Sequence, residues 1–176
     1  MADNIADSIE RLERALASRP GFGVGTWRGV TTLTAGLRCT SEDGPWRIDT
    51  DLTDRLGGGD SAPSPSALVR AALGSCIAMS YRLRAAKQGV PLASVRVTVE
   101  TESALAGMLQ PDSGEQPGFR AIRYHVEVAS PAPVDDVLRV LDEGDRLSPV
   151  LDDLSRPNAV ERTVEVVTTS TPAEVA

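Results

Sequence analysis

Aromatic residues, histidine and cysteine are scarce in this chain of 176 residues. Aromatic side chains make up 3% of it, so the core must be built from valine, leucine, isoleucine and alanine. The one histidine, His125, excludes a multi-histidine metal site, and its place on the polar face of a predicted strand argues against a nucleophile–histidine–acid triad. Two cysteines, Cys39 and Cys76, do not make a secretory disulfide framework. We therefore expect reduced thiols and a cytoplasmic protein.

Basic clusters and long apolar runs are missing as well. The net charge is -7 and no segment is strongly basic, which argues against nucleic acid as a partner. The longest apolar stretch, around residues 71–79, is too short to span a bilayer, so we expect no membrane partner. The N-terminus carries Asp3, Asp7 and Glu10 and no apolar run, so it does not resemble a signal peptide.

Length and patterning divide the chain into three parts. We expect an N-terminal helical extension over residues 1–21, a folded domain over 22–169 and a loose tail over 170–176. The extension has an apolar stripe at helical spacing over residues 3–18 and ends at Pro20-Gly21. The stripe consists of Ile5, Ile9, Leu12 and Leu16.

The domain is predicted to be α+β, with antiparallel strands around a buried central helix. The acidic residues of the later helix, Asp145 among them, are expected on a solvated face. Alternation predicts strands near residues 22–28, 30–39, 46–51, 94–103, 119–130 and 159–168, and helical spacing predicts helices near 65–88, 134–147 and 150–155.

The central helix is the best-defined element. Ser64 can cap it, Pro65 suits its first turn and Gly89 can end it. It is apolar nearly all round, which is typical of a buried helix, and it contains Cys76. Taken alone, a lone thiol on such a helix is usually a small packed hydrophobe. The glycine run 57–59 before it favours a backbone turn over a phosphate cradle, because no Lys-Ser/Thr pair follows.

Several motifs along the chain combine into a family resemblance. They are Leu56–Gly59, Pro63–Pro65, Ala71–Cys76, Arg84–Leu92, Val95–Glu100 and Ser148–Val150. Over residues 24–168 the sequence resembles the osmotically induced protein C / organic hydroperoxide resistance (OsmC/Ohr) family. The resemblance implies an α+β fold and an intertwined homodimer, and it implies that active members reduce organic hydroperoxides.

The resemblance also implies roles for individual positions. Cys76 matches the cysteine that attacks the peroxide and becomes a sulfenic acid. Ser148 stands where active members have a second cysteine, which closes a disulfide that a dithiol reopens. Ser66 stands at the position of a glutamate that assists the thiol. Arg28 and Arg38 are the candidates for the arginine that pairs with that glutamate, although neither has the expected spacing.

The sequence leaves three functions open. The first is a peroxiredoxin-like thiol peroxidase that reduces small hydrophobic hydroperoxides at Cys76, with an external thiol as reductant and with no metal or other cofactor. The second is a protein that binds a small hydrophobic ligand without turnover, and the third is a structural dimer. Cys39 would resolve Cys76 only if their Cα atoms lay about 4.4–6.8 Å apart, so we expect Cys39 to be a strand residue.

Overall fold

The computed structural model describes residues 2–33 and 35–167, with side chains described from Ile5 onward. Its strands form two antiparallel sheets, one of three strands and one of two, which confirms the α+β class. In chain order the elements are α1 (Ala2–Ser18), β1 (Gly29–Leu33), β2 (Cys39–Asp43), β3 (Trp46–Thr50), a 3-10 turn (Asp54–Leu56), α2 (Pro65–Gln88), β4 (Ser94–Ser103), α3 (Leu105–Leu109), β5 (Phe119–Ala129), α4 (Val134–Arg146) and α5 (Pro149–Ser155).

The central helix α2 begins and ends where its capping residues predict. The Ser64 side chain accepts a hydrogen bond from the Ala67 backbone N–H, and Pro65 occupies the first turn, where its missing N–H costs nothing. Gly89 ends the helix at φ 68°, in the left-handed region that glycine adopts without steric cost. The predicted bounds 65–88 are confirmed.

One face of α2 forms the core with the β4–β5 sheet and with α4. The buried apolar residues of the helix pack against the inward-facing residues of both strands and against Val140 of α4. Those helix residues are Leu73, Ile77, Tyr81 and Ala85. Over Ser94–Glu102 of β4 and Ile122–Ala129 of β5, strict alternation puts valines inward and charged residues outward, as expected for a sheet with one solvated face. The opposite face of α2 is open, with Met79 65% exposed.

The three-stranded sheet β1–β2–β3 differs most from the sequence prediction. The expected strand over 22–28 is wrong, because Gly21 and Gly23 adopt left-handed φ values of 80° and 82° and the chain runs irregularly to β1. The expected strand over 30–39 is also wrong, because a turn at Gly36, with φ 61°, divides it into β1 and β2. The hairpin between β2 and β3 at Gly44 is confirmed.

The C-terminal part of the described chain also departs from expectation. The alternating valines of residues 159–167 predict a strand, but that segment pairs with neither sheet, and Val160, Val164 and Val166 are exposed. Residue 168 and the predicted tail over 170–176 lie outside the described residues. Inside the predicted connection 104–118, the chain forms the short helix α3. Along the described residues, no helix has the length and apolar character needed to cross a membrane.

Candidate active site

The Cys76 sulfur lies on α2 at the edge of the core. The side chain is half-buried and the thiol is free. Its neighbour Ile77 is completely buried, whereas Ser75 is exposed and its hydroxyl bonds back to the Ala71 carbonyl. The Ser148 hydroxyl donates a hydrogen bond to the Cys76 sulfur over 3.3 Å. The structure therefore brings together two of the site residues predicted from sequence.

The turn between α4 and α5 fixes Ser148. Its backbone N–H donates to the Asp145 carbonyl and its own carbonyl accepts from the Asp152 N–H. Serine before a Pro-led helix usually caps that helix with its side chain, but Ser148 makes no such bond. Its hydroxyl, on a fully buried residue, donates to the sulfur instead.

A tyrosine–aspartate cluster holds this turn against α2 and β5. The phenol of Tyr81 on α2 donates to Asp145 Oδ1 over 2.6 Å, and that of Tyr124 on β5 donates to Oδ2 over 2.9 Å. Gly144 lets the Tyr81 ring approach, because a Cβ there would lie 2.4 Å from Tyr81 Cδ1. The expectation that Asp145 lies on a solvated face is therefore wrong. Both tyrosines fall on apolar faces, and a buried phenol needs a partner, so the sequence did carry a signal for the cluster.

The tyrosine–aspartate cluster raises the pKa of both tyrosines. Burial, followed by the hydrogen bond and charge of Asp145, raises the pKa of Tyr124 to about 12. The same causes raise the pKa of Tyr81 well above its usual value. Both phenols are thereby kept protonated as donors, which is the form the Asp145 carboxylate needs.

The two candidate arginines lie on other parts of the chain. Arg38 precedes β2 and binds the Asp49 carboxylate over 2.9 Å, with Ser61 also in reach. The hydroxyl of Thr40 and the Arg38 guanidinium hold the pKa of Asp49 below its usual range. Arg28 lies on the exposed segment before β1. The hydrogen bond to the Cys76 sulfur comes from Ser148 and from neither arginine.

Ser66 is also distant from the thiol within one chain. It occupies the first turn of α2, ten residues before Cys76, and is exposed. At the helical rise of 1.5 Å per residue, the two positions are about 15 Å apart along the axis.

The glycine run 57–59 forms a backbone turn, as predicted. Gly57 has φ 82°, and Gly59 donates its N–H to the buried Asp51 carboxylate. The hydroxyl and backbone N–H of Ser61 hold the pKa of Asp51 below its usual range. This loop leads the chain from β3 into the first turn of α2.

The remaining sequence candidates take no part in this geometry. Cys39 begins β2, where it pairs with Leu33 and Thr50, and its thiol is free. His125 is exposed on β5, opposite Thr98. Among the described residues, no group of three or more His, Cys, Asp or Glu is arranged to hold a metal ion.

The sequence matches one protein family over more than half of its length. The model of the OsmC-like protein family matches residues 57–163, a range that includes both Cys76 and Ser148. The chain therefore belongs to the OsmC family. Comparison of the sequence with curated proteins found no match.

Solved structures support the same fold. An OsmC-like protein from Mycoplasma pneumoniae is 17% identical, with a TM-score of 0.63 over 74% of this chain and 88% of that one. An organic hydroperoxide resistance protein OsmC from Legionella pneumophila is 17% identical, with a TM-score of 0.57 over 75% and 90%. An organic hydroperoxide resistance protein from Elizabethkingia anophelis is 16% identical, with a TM-score of 0.58 over 78% and 92%.

The tyrosine cluster predicts an alkaline limit to stability. A phenol whose folded pKa is raised loses its stabilising contribution as the pH rises above the unfolded value of about 10. We expect both tyrosines of the chain to resist ionisation up to about pH 11 in the folded protein, and the free energy of unfolding to fall above pH 10. Tyrosinate absorbance and urea unfolding over that pH range measure both effects.

The variant Tyr124→Phe is the control for this titration. It removes one phenol and should reduce the alkaline loss of stability, while Tyr81 still resists ionisation. Ionisation of both tyrosines near pH 10 in the folded wild-type protein would contradict the cluster.

Proposed function

We propose that this protein reduces organic hydroperoxides at Cys76 and that an external thiol regenerates it. The observation that carries the proposal is the hydrogen bond from Ser148 to the half-buried Cys76 sulfur. Membership of the OsmC family supports a role in peroxide or stress response. The organic hydroperoxide resistance proteins of similar fold support the substrate class.

The chemistry balances with a thiol as the reductant. The Cys76 thiolate attacks the outer oxygen of the hydroperoxide, a sulfur–oxygen bond forms and the oxygen–oxygen bond breaks, which gives the sulfenic acid. The alkoxide that leaves takes up the proton released when the thiol ionised and becomes the alcohol. An external thiol then attacks the sulfenic acid, releasing water and forming a mixed disulfide. A second external thiol restores Cys76 and leaves as a disulfide, so two electrons pass from thiols to peroxide.

Ser148 favours the attack of Cys76 on the peroxide and changes how the sulfenic acid is then reduced. A hydroxyl that donates to sulfur stabilises the thiolate, since hydrogen bonds to charged groups are the stronger ones. Oxygen at this position cannot form a disulfide, so the sulfenic acid waits for a thiol from outside the chain. Such a cycle needs a thiol pool, which accords with the cytoplasmic location that we propose.

A second copy of the chain completes the site in this proposal. The open face of α2 carries exposed Met79 and Leu83, and the three-stranded sheet exposes Val30, Leu33 and Ile48. Covering these apolar surfaces in a homodimer would contribute about 25 cal/mol per Å². The second copy would bring its own Arg28 or Arg38 to Cys76, where a cation stabilises a thiolate.

The first test is oxidation of Cys76. On treatment with cumene hydroperoxide, we expect a dimedone-reactive sulfenic acid at Cys76 and its loss on adding a small thiol. Labelling followed by peptide mass spectrometry measures both, and alcohol should form in step with thiol consumed.

Two variants control this experiment. Cys76→Ser should abolish alcohol production, and Cys39→Ser should leave it unchanged, since Cys39 lies in β2 with its own strand partners. A wild-type protein in which Cys76 stays reduced under peroxide excess would exclude the peroxidase.

A binding protein without turnover is the second candidate. Serine at positions 66 and 148 favours the binding protein. The family resemblance implies a glutamate that assists the thiol at the first position and a resolving cysteine at the second, and this chain has neither. The sulfur also receives its hydrogen bond from an uncharged group rather than a cation. The oxidation experiment distinguishes the two candidates, since this one predicts an inert Cys76.

The variant Ser148→Cys tests the geometry of the site directly. Oxygen and sulfur are already 3.3 Å apart, so a sulfur at position 148 should lie within reach of Cys76 with little backbone movement. We expect peroxide to convert this variant to an intramolecular disulfide and to shorten the life of the sulfenic acid. Non-reducing peptide mapping measures the bond.

The double variant Cys39→Ser, Ser148→Cys is the control, and it should form the same disulfide. If peroxide oxidises Cys76 in the Ser148→Cys variant while the thiol at position 148 stays free, the contact is not as described.

A further inference from the structure

The surface area of the single chain is far larger than its mass predicts. The chain exposes 13545 Å². A compact folded monomer of 18.6 kDa exposes about 8,200 Å². The few residues outside the described ranges would add about 1,800 Å² if fully extended, so they do not account for the difference. An excess of several thousand Å² is of the order that obligate homodimers bury.

Helix α1 lies beside the open face of α2. It spans Ala2–Ser18, outside the range 57–163 that matches the family model. It packs on α2, and the Glu13 carboxylate binds the Lys87 ammonium in the last turn of that helix. At about 100° per residue, Lys87 lies only about 40° around α2 from Leu83. Because the β4–β5 sheet and α4 occupy the core side of α2, α1 is left with the side that carries Leu83.

Only part of the apolar stripe of α1 is covered within one chain. Ile9 is buried, but Leu12 and Leu16, about one and two turns further along the stripe, are 54% and 55% exposed. On the open face of α2, Met79 and Leu83 are exposed as well. These four exposed residues form what we call the α1–α2 surface. Grouped apolar residues of this kind mark an interaction site, whereas single ones are ordinary.

The charges of α1 do not suit a lipid surface. The helix carries four acidic residues and two arginines, in a chain of net charge -7. A helix that lies on a membrane is instead rich in lysine and arginine on its polar face. A second copy of the chain suits the apolar stripe, and it also accounts for the excess surface area.

We infer that the α1–α2 surface packs against a second copy of the chain, so that α1 is part of a homodimer interface. The inference rests on the homodimer of the proposed function, and it needs no reaction at Cys76. A two-fold dimer uses the same surface of both copies, so each leucine of α1 is buried in both. Burial of one leucine side chain strengthens association about tenfold or more.

Subunit exchange between unlabelled and nitrogen-15-labelled full-length protein tests the inference. Native mass spectrometry follows the mixed dimer, and its rate of appearance reports dimer dissociation. Leu16→Glu puts a carboxylate without a partner on the α1–α2 surface, so we expect exchange at least about tenfold faster than in the wild type. Leu12→Glu should have the same effect. Both leucines are more than half exposed in the single chain, so neither change disturbs its core.

The matched control is Ala17→Glu. It adds the same charge one residue after Leu16, at an exposed position about 100° around the helix. We expect its exchange rate to stay within about twofold of the wild-type rate.

The outcomes separate α1 from the homodimer and from the thiol chemistry. A dimeric wild type whose Leu12→Glu and Leu16→Glu variants exchange at the wild-type rate would overturn the inference, because α1 would then face solvent or another protein. Equal acceleration by Leu16→Glu and Ala17→Glu would also overturn it, since charge alone would be the cause. A monomeric wild type would remove the homodimer itself, while oxidation of Cys76 would still be tested separately.

Discussion

The hydrogen bond between the Ser148 hydroxyl and the Cys76 sulfur joins the fold of this protein to its proposed chemistry. It connects the middle of α2 to the turn between α4 and α5. The bond exists because that turn fully buries Ser148 and satisfies its backbone groups without using the hydroxyl. In this OsmC-family chain, Cys76 is thus in contact with a hydrogen-bond donor at position 148.

The placement of Ser148 depends in turn on the Tyr81–Asp145–Tyr124 cluster. One carboxylate receives two phenols from two different elements, which fixes the end of α4 relative to both α2 and β5. A buried phenol such as that of Tyr81 would destabilise the core by about 1–3 kcal/mol if it had no acceptor, so the cluster is strongly specified. The Asp145 backbone carbonyl also accepts from the Ser148 N–H. A change that displaces Asp145 would therefore move the Ser148 hydroxyl away from the Cys76 sulfur.

Local signals in the sequence predicted local structure well. Ser64, Pro65 and Gly89 set the bounds of α2, and alternation set β4 and β5, because each depends on residues close in the chain. The strand predicted over 22–28 was wrong, because two left-handed glycines outweigh β-type side chains. The strand predicted over 159–168 does not form over 159–167, because a strand also needs an edge with which to pair.

The candidate site was predicted only in part. Cys76 and Ser148 were identified through the family resemblance, since a separation of 72 positions along the chain hides their contact from any local pattern. The role of Asp145 was missed, because its acidic neighbours suggested a solvated helix face. Arg28 and Arg38 stay predictions, because they would act across an interface between two copies, which the fold of one chain does not contain.

The most direct measurement is the rate at which cumene hydroperoxide oxidises Cys76 in the wild type and in Ser148→Ala. Removing one hydrogen bond to a charged sulfur should slow the reaction about tenfold, with the fold and the number of free thiols unchanged. An equal rate in the two proteins would contradict the account, since the Ser148 hydroxyl would then contribute nothing to the reactivity of Cys76.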